Sequence, residues 1–172
     1  IKKSKIIIHL MNTLKCAISI LIFYLSSSCV DSNAIRIDKE ILNGWDLEES
    51  IKFEISDTID FSSNIYFYLR NNNDYPFSNI FLIASLKSNQ KVYETDTLEY
   101  MMADNKGEWL GKGFSDIKES KLLWKRNWKP FFSPPYIFEI KQANRKIGQI
   151  KGDKYLSGIL SLGLSIEKIS NE

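Results

Sequence analysis

Cys29 is the residue whose type and position point most directly to a chemical modification. It follows three serines at residues 26–28, which end an apolar run over residues 17–25 with Lys15 close before it. A basic head, a short apolar core and small residues before a cut are the layout of an export signal. A cysteine directly after the cut indicates a bacterial lipoprotein signal, in which the thiol takes a diacylglycerol and the new amine a third acyl chain. Each buried methylene contributes about 0.8 kcal/mol, so several chains would anchor a soluble domain firmly.

An uncleaved membrane helix is the alternative interpretation of this stretch. The apolar core of residues 17–25 argues against it, because a membrane span needs about 20 apolar residues. One feature departs from the usual lipoprotein pattern: Ser26 stands three residues before Cys29, where leucine is common, and Leu25 stands one step earlier. Cys16 precedes the apolar core, so it cannot follow a cleavage that the core directs. We therefore predict that Cys29 carries the lipid.

The chain divides by composition into three parts. We predict an export signal over residues 1–28, with Met11 as the expected start and residues 1–10 upstream of it. Residues 29–44 begin with the lipidated cysteine and are otherwise polar and mixed, without a clear period, which is typical of a tether. Residues 45–172 then form one domain, long enough to bury a single core.

Charge and missing residue types exclude several functions. The whole chain has 23 basic and 21 acidic side chains; four lysines and no acid precede Cys29, which leaves 19 against 21 after cleavage. A domain so near neutrality lacks the basic surface that nucleic acid binding needs. His9, Cys16 and Cys29 are the only histidine and cysteines. The domain after Cys29 therefore lacks the residues for Ser-His-Asp or Cys-His catalysis and for His- or Cys-ligated zinc, and we predict no cofactor and no metal.

Two acids at alternate positions, Glu94 and Asp96, are the strongest candidates for acid–base chemistry. On a strand they would share one face with side chains roughly 7 Å apart, which suits a glycoside hydrolase or, with Glu99, a calcium site. Alternating polar residues are also typical of a solvated strand face, and we favour that interpretation. The sequence after Asp104 resembles part of a calcium loop, but Lys106 stands where an oxygen ligand is needed. We predict a hairpin turn there.

A stretch that interleaves bases with aromatics, residues 121–129, is the strongest candidate for a binding surface. Exposed rings there could stack on sugars or rest on lipid headgroups. Burial is the commoner use of aromatic side chains, and we favour an arrangement in which the tryptophans enter the core while the lysines stay in water. The candidate surface residues are Trp124, Trp128, Phe131, Phe132 and Tyr136.

Alternation of apolar and polar residues predicts the elements that position these candidates. A period of two residues indicates half-buried strands, and turn residues such as Asn, Asp and Gly separate the alternating stretches. No convincing long amphipathic helix is evident. About eight strands with this spacing favour an all-β fold, an antiparallel β-sandwich of two packed sheets. The clearest strands lie at residues 51–55, 65–70, 80–84, 92–101, 120–124, 136–140 and 160–166, the last with Leu160, Leu162, Leu164 and Ile166 facing inward.

Separate motifs in the domain together resemble the GldH family of gliding-motility lipoproteins. The most distinctive is LRNNNDYPFSN at residues 69–79. DTLEY at 96–100, MAD at 102–104 and GEWLGKG at 107–113 follow in the same order as in the family. The resemblance runs from about Trp45 to the C-terminus.

This resemblance implies an envelope lipoprotein required for gliding over surfaces, a process linked to a dedicated outer-membrane secretion system. It implies no catalytic residue. The sequence departs from the family pattern at Asn144, where we expect an apolar residue, and at Ser161 and Ser165. We predict a non-enzymatic interaction component, lipid-anchored in the cell envelope with the outer membrane favoured, whose partners are motility and secretion proteins. A carbohydrate-binding sandwich is the alternative, and a carboxylate hydrolase comes third.

Overall fold

The computed structural model describes residues 34–145, 152 and 154–169, so the predicted export signal and Cys29 lie outside the described residues. Within these residues the fold is all-β, as predicted, with ten strands and no helix. The strands are β1 (Ala34–Glu40), β2 (Trp45–Asp46), β3 (Ile51–Ile55), β4 (Ser63–Asn71), β5 (Asn79–Ser88), β6 (Lys91–Met101), β7 (Lys118–Trp128), β8 (Tyr136–Gln142), β9 (Tyr155–Leu156) and β10 (Ile159–Lys168).

Two four-stranded antiparallel sheets form the predicted sandwich. The first sheet has the order β1-β10-β4-β7 and the second the order β3-β8-β5-β6, while β2 and β9 form a small separate pair. In the first sheet Phe67 lies opposite Leu164 on one side and Leu122 on the other. In the second sheet Phe138 lies opposite Phe53. All five side chains are buried, because the alternation of each strand turns its apolar residues toward the same interior.

Trp124 joins the two sheets across this interior. Its ring stacks on Phe67 of the same sheet, with 5.2 Å between ring centroids, and meets Phe138 of the second sheet edge-on at 6.0 Å. Trp128 also meets Phe138 at 6.0 Å. Such aromatic pairs contribute about 0.5–1.5 kcal/mol beyond the burial of their area. Both tryptophans therefore belong to the core, which is the arrangement that the sequence favoured.

Residues 34–40 form an edge strand where a tether is predicted. β1 pairs with β10 over its whole length, starting with Ala34 opposite Glu167. Ile35 and Ile37 pack against the core from this strand. These isoleucines are half-exposed and charged residues lie between them, as is usual at the edge of a sheet. The alternation of the strand is therefore hard to recognise in the sequence. The structure thus corrects the predicted tether, since the folded domain begins by Ala34.

The last strand also departs from its predicted pattern. The register of β10 against β4 shifts between Ile159 and Ser161, so Leu160 lies in a bulge and is only half-buried rather than facing fully inward. Beyond the bulge Leu162, Leu164 and Ile166 face the core as predicted. A bulge adds one unpaired residue to a strand, and strict alternation cannot be carried through it.

Candidate interaction surface

The five predicted aromatic residues do not form one surface. Trp124, Trp128 and Tyr136 are 8%, 6% and 1% exposed, because they occupy inward positions of β7 and β8. Phe132 is half-buried, and Phe131 alone among the five is largely exposed, at 63%. A stacking platform for sugars needs open ring faces, and the three buried rings do not offer them. This burial removes the basis on which the carbohydrate-binding alternative was predicted.

Glu94 and Asp96 share one face of β6, as predicted, but that face adjoins β7 and is half-buried rather than solvated. Lys125 Nζ lies 2.7 Å from Glu94 Oε2 and 2.7 Å from Asp96 Oδ2. Trp124 donates from Nε1 to Asp96 Oδ2 at 2.8 Å. Burial raises the pKa of Asp96, but hydrogen bonds from Lys125 and Trp124 outweigh it, so the pKa is lowered overall. The ammonium group of Lys125 therefore forms ion pairs with both carboxylates, which gives the two acids a structural role. An Asp96 of low pKa is also a poor general acid.

The turn after β6 is stabilised by the side chain of Asp104. Asp104 Oδ1 accepts hydrogen bonds from the backbone N–H of Lys106 at 2.8 Å and of Glu108 at 2.9 Å. Gly107 closes the turn with φ at +83°, a conformation that glycine adopts at little cost. The predicted hairpin turn is therefore confirmed. The described residues hold no group of three acidic, histidine or cysteine side chains that could bind a metal ion.

Gly111 and Gly113 then bring the chain against the start of β7. Lys112 exchanges two backbone hydrogen bonds with Glu119, at 2.9 and 2.7 Å. A Cβ on Gly113 would lie 2.1 Å from the carbonyl oxygen of Ile117, and one on Gly111 would lie 3.0 Å from that of Glu119. These distances show a close backbone approach that requires glycine at both positions. Larger residues at either position would push the loop away from the sheet.

Around this loop four large apolar side chains are exposed, and we call them the apolar loop surface. Two cavities, of about 440 and 300 Å³, border it and share Lys112 and Glu119 as walls. Arg70 lines the second cavity, so charged groups surround the apolar centre. Contiguous exposed apolar patches with a polar rim mark interaction sites. The members are Met101, Leu110, Phe114 and Ile117, which are 54%, 57%, 94% and 48% exposed.

The polar rim is fixed by ion pairs on the outer face of the first sheet. Glu119 Oε2 accepts hydrogen bonds from Arg36 at 3.0 Å and from Arg70 at 2.9 Å. The guanidinium carbon of Arg36 lies 3.9 Å from the ring centroid of Tyr68. These contacts link β1, β4 and β7 in front of the cavities. A partner would therefore meet side chains that are already ordered.

Small residues of β10 lie beneath this outer layer. Ser161 and Ser165 are 3% and 2% exposed. Between them a Cβ on Gly163 would lie 2.3 Å from Asp38 Oδ1 and 3.3 Å from Cβ of Tyr68. Small side chains are needed here because the long side chains of the neighbouring strands close over β10.

The Asn-rich turn after β4 lies at the same end of the sandwich as the apolar loop surface. The side chains of Asn72 and Asp74 support the turn, with Asn72 Nδ2 donating to Asp74 Oδ2 at 2.9 Å and Asn72 Oδ1 accepting from the Asp74 N–H at 3.0 Å. No residue from 71 to 74 has a positive φ, so these side-chain bonds, and not a left-handed backbone, fix the turn. The contacts give the turn a structural role.

Asn144 has a structural role that the sequence alone did not reveal. The residue is 1% exposed, and its Oδ1 accepts a hydrogen bond from the backbone N–H of Phe81 at 2.8 Å. Its Nδ2 lies 3.3 Å from both the Tyr75 hydroxyl and the carbonyl oxygen of Asn79. Burial raises the pKa of Tyr75, so this hydroxyl stays protonated. One amide therefore ties β5 to the turn after β4, where an apolar residue would leave the backbone N–H of Phe81 without its acceptor.

Fold and site together define an antiparallel β-sandwich protein whose candidate site is an exposed apolar surface with a charged rim. Among the described residues there is no helix of the length and apolarity that a bilayer crossing requires.

The family described as GldH lipoprotein matches residues 36–166, and this chain belongs to that family. The chain is 42% identical over 164 residues to the gliding motility lipoprotein GldH homolog of Christiangramia forsetii, and the matched region covers 92% of this chain and 100% of the relative. It is 38% identical over 143 residues to the gliding motility lipoprotein GldH of Flavobacterium johnsoniae, covering 82% and 88%. The predicted resemblance is confirmed, and the family match begins within β1, before the predicted start at Trp45.

Proposed function

We propose that this protein is a membrane-anchored lipoprotein of the cell envelope that serves gliding motility by holding protein partners, without catalysing a reaction. The names of its relatives support a role in gliding motility. The signal pattern that ends at Cys29 supports the lipid anchor, with the outer membrane favoured. The ion-paired state of Glu94 and Asp96 argues against the hydrolase hypothesis.

The observation that carries the proposal is the apolar loop surface. Phe114 is 94% exposed in a segment whose two ends are fixed to the sandwich, so the ring is presented to solvent by an ordered frame. Leaving such a ring in water forgoes about 1.5–3 kcal/mol of burial. A partner with a complementary apolar patch and charges that match Arg70, Lys112 and Glu119 would recover this energy. The proposed partner is thus a protein of the gliding or linked secretion machinery.

The position of this surface fits an anchor at the opposite end. β7 starts at Lys118 beside the loop and ends at Trp128, and its eleven residues span roughly 33 Å. β1 starts at Ala34. The register of the first sheet places Ala34 at the same end as Trp128, because β1 pairs antiparallel with β10, β10 with β4 and β4 with β7. A lipid on Cys29, five residues before Ala34, would leave the apolar loop surface facing away from the anchor.

The anchor is tested by Cys29→Ala in a gliding strain. We expect the variant to leave the membrane fraction and the cells to lose gliding, because the acyl chains supply the membrane affinity. Motility that persists with a fully soluble variant would refute the anchored role. Mass spectrometry of the exported wild-type protein, which should show a lipid on Cys29 as the first residue, is the direct chemical check.

The docking role is tested by a double substitution, Leu110→Asp with Phe114→Asp. We expect gliding to fail and specific envelope proteins to be lost from crosslinked complexes, while the lipoprotein itself stays in the membrane fraction at wild-type abundance. The matched control is Leu42→Asp, since Leu42 is 82% exposed outside this surface. Normal gliding and unchanged complexes in the double variant would refute the docking role and leave the anchor untouched.

A further inference from the structure

A second exposed aromatic group lies at the other end of the sandwich. The rings of Tyr93 and Phe132 stack with 3.8 Å between centroids and 8° between planes. Phe131 meets them edge-on, at 5.7 Å from Tyr93 and 5.1 Å from Phe132. Phe132 in turn packs at 5.5 Å against Tyr136, which is buried in the core. We call Tyr93, Phe131 and Phe132 the Phe131 patch; its base is fixed while Phe131 itself is 63% exposed.

Apolar and basic side chains border this patch. Val92 is 51% exposed, and Lys91 Nζ lies 4.8 Å from the ring centroid of Tyr93. Lys129 is exposed two residues before Phe131. Rings flanked by lysines whose stems lie along apolar surface are typical of proteins that contact the interfacial region of a bilayer. The loop between β3 and β4 adds the exposed acids Asp57 and Asp60 at this end, so acidic and basic side chains are mixed around the rings.

The start of the folded domain lies at this same end. Ala34 of β1 lies opposite Glu167, Glu167 lies opposite Asn64, and Asn64 Oδ1 accepts a hydrogen bond from the N–H of Asn127 at 3.1 Å. The beginning of β1 and the end of β7 are therefore separated by three strand spacings, about 14 Å. Residues 129–132 follow directly after β7 and carry Phe131.

The length of chain before β1 limits how far a lipid can lie from the patch. Ala34 lies five positions after Cys29, and five residue steps span at most about 17 Å when fully extended. An anchor on so short a connection holds this end of the sandwich close to the bilayer. The Phe131 patch then lies within the reach of the lipid surface that the acyl chains enter.

We propose that the Phe131 patch rests on the phospholipid surface and that Phe131 enters the interfacial region, so that the domain is held in one orientation on its membrane. This inference rests on the proposed lipid anchor. It assigns two ends to the molecule, a membrane-contacting end at Phe131 and a partner-binding end at Phe114. A lipid anchor alone would leave the domain free to rotate about its connection.

The test is fluorescence quenching by brominated lipid with the full lipidated protein in phosphatidylethanolamine–phosphatidylglycerol vesicles. One variant carries Phe131→Trp, and the matched control carries Phe114→Trp at the opposite end; the wild-type signal of the native tryptophans is subtracted from each. We expect brominated vesicles to remove the added emission of Phe131→Trp and to leave that of Phe114→Trp unchanged. Flotation of the same samples reports membrane binding.

Each other outcome overturns the inference in a distinguishable way. Protein that floats with its vesicles but shows no quenching at position 131 refutes the membrane contact and leaves the anchor intact. Equal quenching at both positions refutes a single orientation. Protein that does not float refutes the anchor and, with it, this inference. If the emission of Phe131→Trp changes only when the protein self-associates in detergent, and is not quenched in brominated vesicles, the patch would contact a second copy of the chain instead.

Discussion

Trp109 donates a hydrogen bond from its indole Nε1 to Oδ1 of Asn73 at 3.0 Å, and so joins two stretches of chain 36 residues apart. Both stretches are motifs on which the family resemblance rests, residues 69–79 and 107–113. The Tyr75 ring lies 6.0 Å from that of Trp109 and supports the same contact. The base of the apolar loop surface is therefore fixed to the turn after β4, and its orientation depends on this pair.

Removing this hydrogen bond is expected to loosen the loop more than the fold. We predict that Asn73→Ala lowers the free energy of unfolding by about 0.5–1 kcal/mol, at the low end for a hydrogen bond because the pair is exposed. Trp109→Phe removes the donor and keeps an aromatic ring, so the double variant should cost less than the sum of the two single ones. Urea denaturation of the wild type, the two single variants and the double variant measures whether the two effects add. Asn105→Ala, in the neighbouring exposed turn, is the control and should change little; full additivity would contradict the pairing.

Replacing the buried amide of Asn144 is expected to destabilise the domain despite a gain in apolar character. In Asn144→Leu the backbone N–H of Phe81 loses its acceptor, while the carbonyl oxygen of Asn79 keeps the Tyr75 hydroxyl as a donor. An unpaired buried polar group costs about 1–3 kcal/mol, so we predict a loss of that size in urea denaturation. Asn105→Leu provides an exposed control. A variant as stable as the wild type would show that the amide is dispensable.

Two glycines with similar backbone angles but different surroundings allow the cost of backbone strain to be distinguished from the cost of a steric clash. Gly158 and Gly107 have φ at +74° and +83°, so alanine at either position costs roughly 1–2 kcal/mol for the left-handed conformation. A Cβ at Gly107 meets nothing within 4 Å, whereas one at Gly158 would lie 2.1 Å from the backbone nitrogen of Tyr75. We predict a small fall in melting temperature for Gly107→Ala and a much larger one for Gly158→Ala. Equal falls would show that the turn at Tyr75 moves freely.

Acid is expected to weaken the contact between β6 and β7. The pKa of Asp96 is lowered in the folded protein, so its ionised form stabilises the fold above the ordinary value of 3.8, and this contribution is lost as pH falls. Asp96→Asn keeps an acceptor for Trp124 but removes the titration. We predict that the wild type loses more stability than the variant between about pH 6 and about pH 3. Denaturation curves at both values check this, and parallel losses would contradict it.

Much of the fold can be predicted from alternation alone. Ile51, Phe53 and Ile55 of β3 face the core as the period of two requires, and the interior position of β5 follows from residues that are apolar on both faces. Asn89 and Gln90, polar residues between two alternating stretches, form a two-residue hairpin turn, both with positive φ. These features depend on neighbouring residues only, which is why the sequence suffices.

Features set by distant contacts could not be predicted in this way. β7 runs to Trp128, past the predicted end at residue 124, because pairing with β4 carries it through polar residues that look like loop. The partners of Asn144 lie 63 to 69 residues away, so no local pattern reveals them. The apolar loop surface likewise becomes visible only when Met101 and Phe114 are seen to be exposed.

The edge position of β1 has a mechanical consequence for a protein of moving cells. β1 is paired to β10 at seven positions and is the first of the described strands. Tension entering at Ala34 along the strand axis loads the whole ladder of hydrogen bonds at once, in shear, instead of peeling them apart one by one. The sandwich thus meets a pull from its upstream end in the geometry in which a β-ladder resists force best.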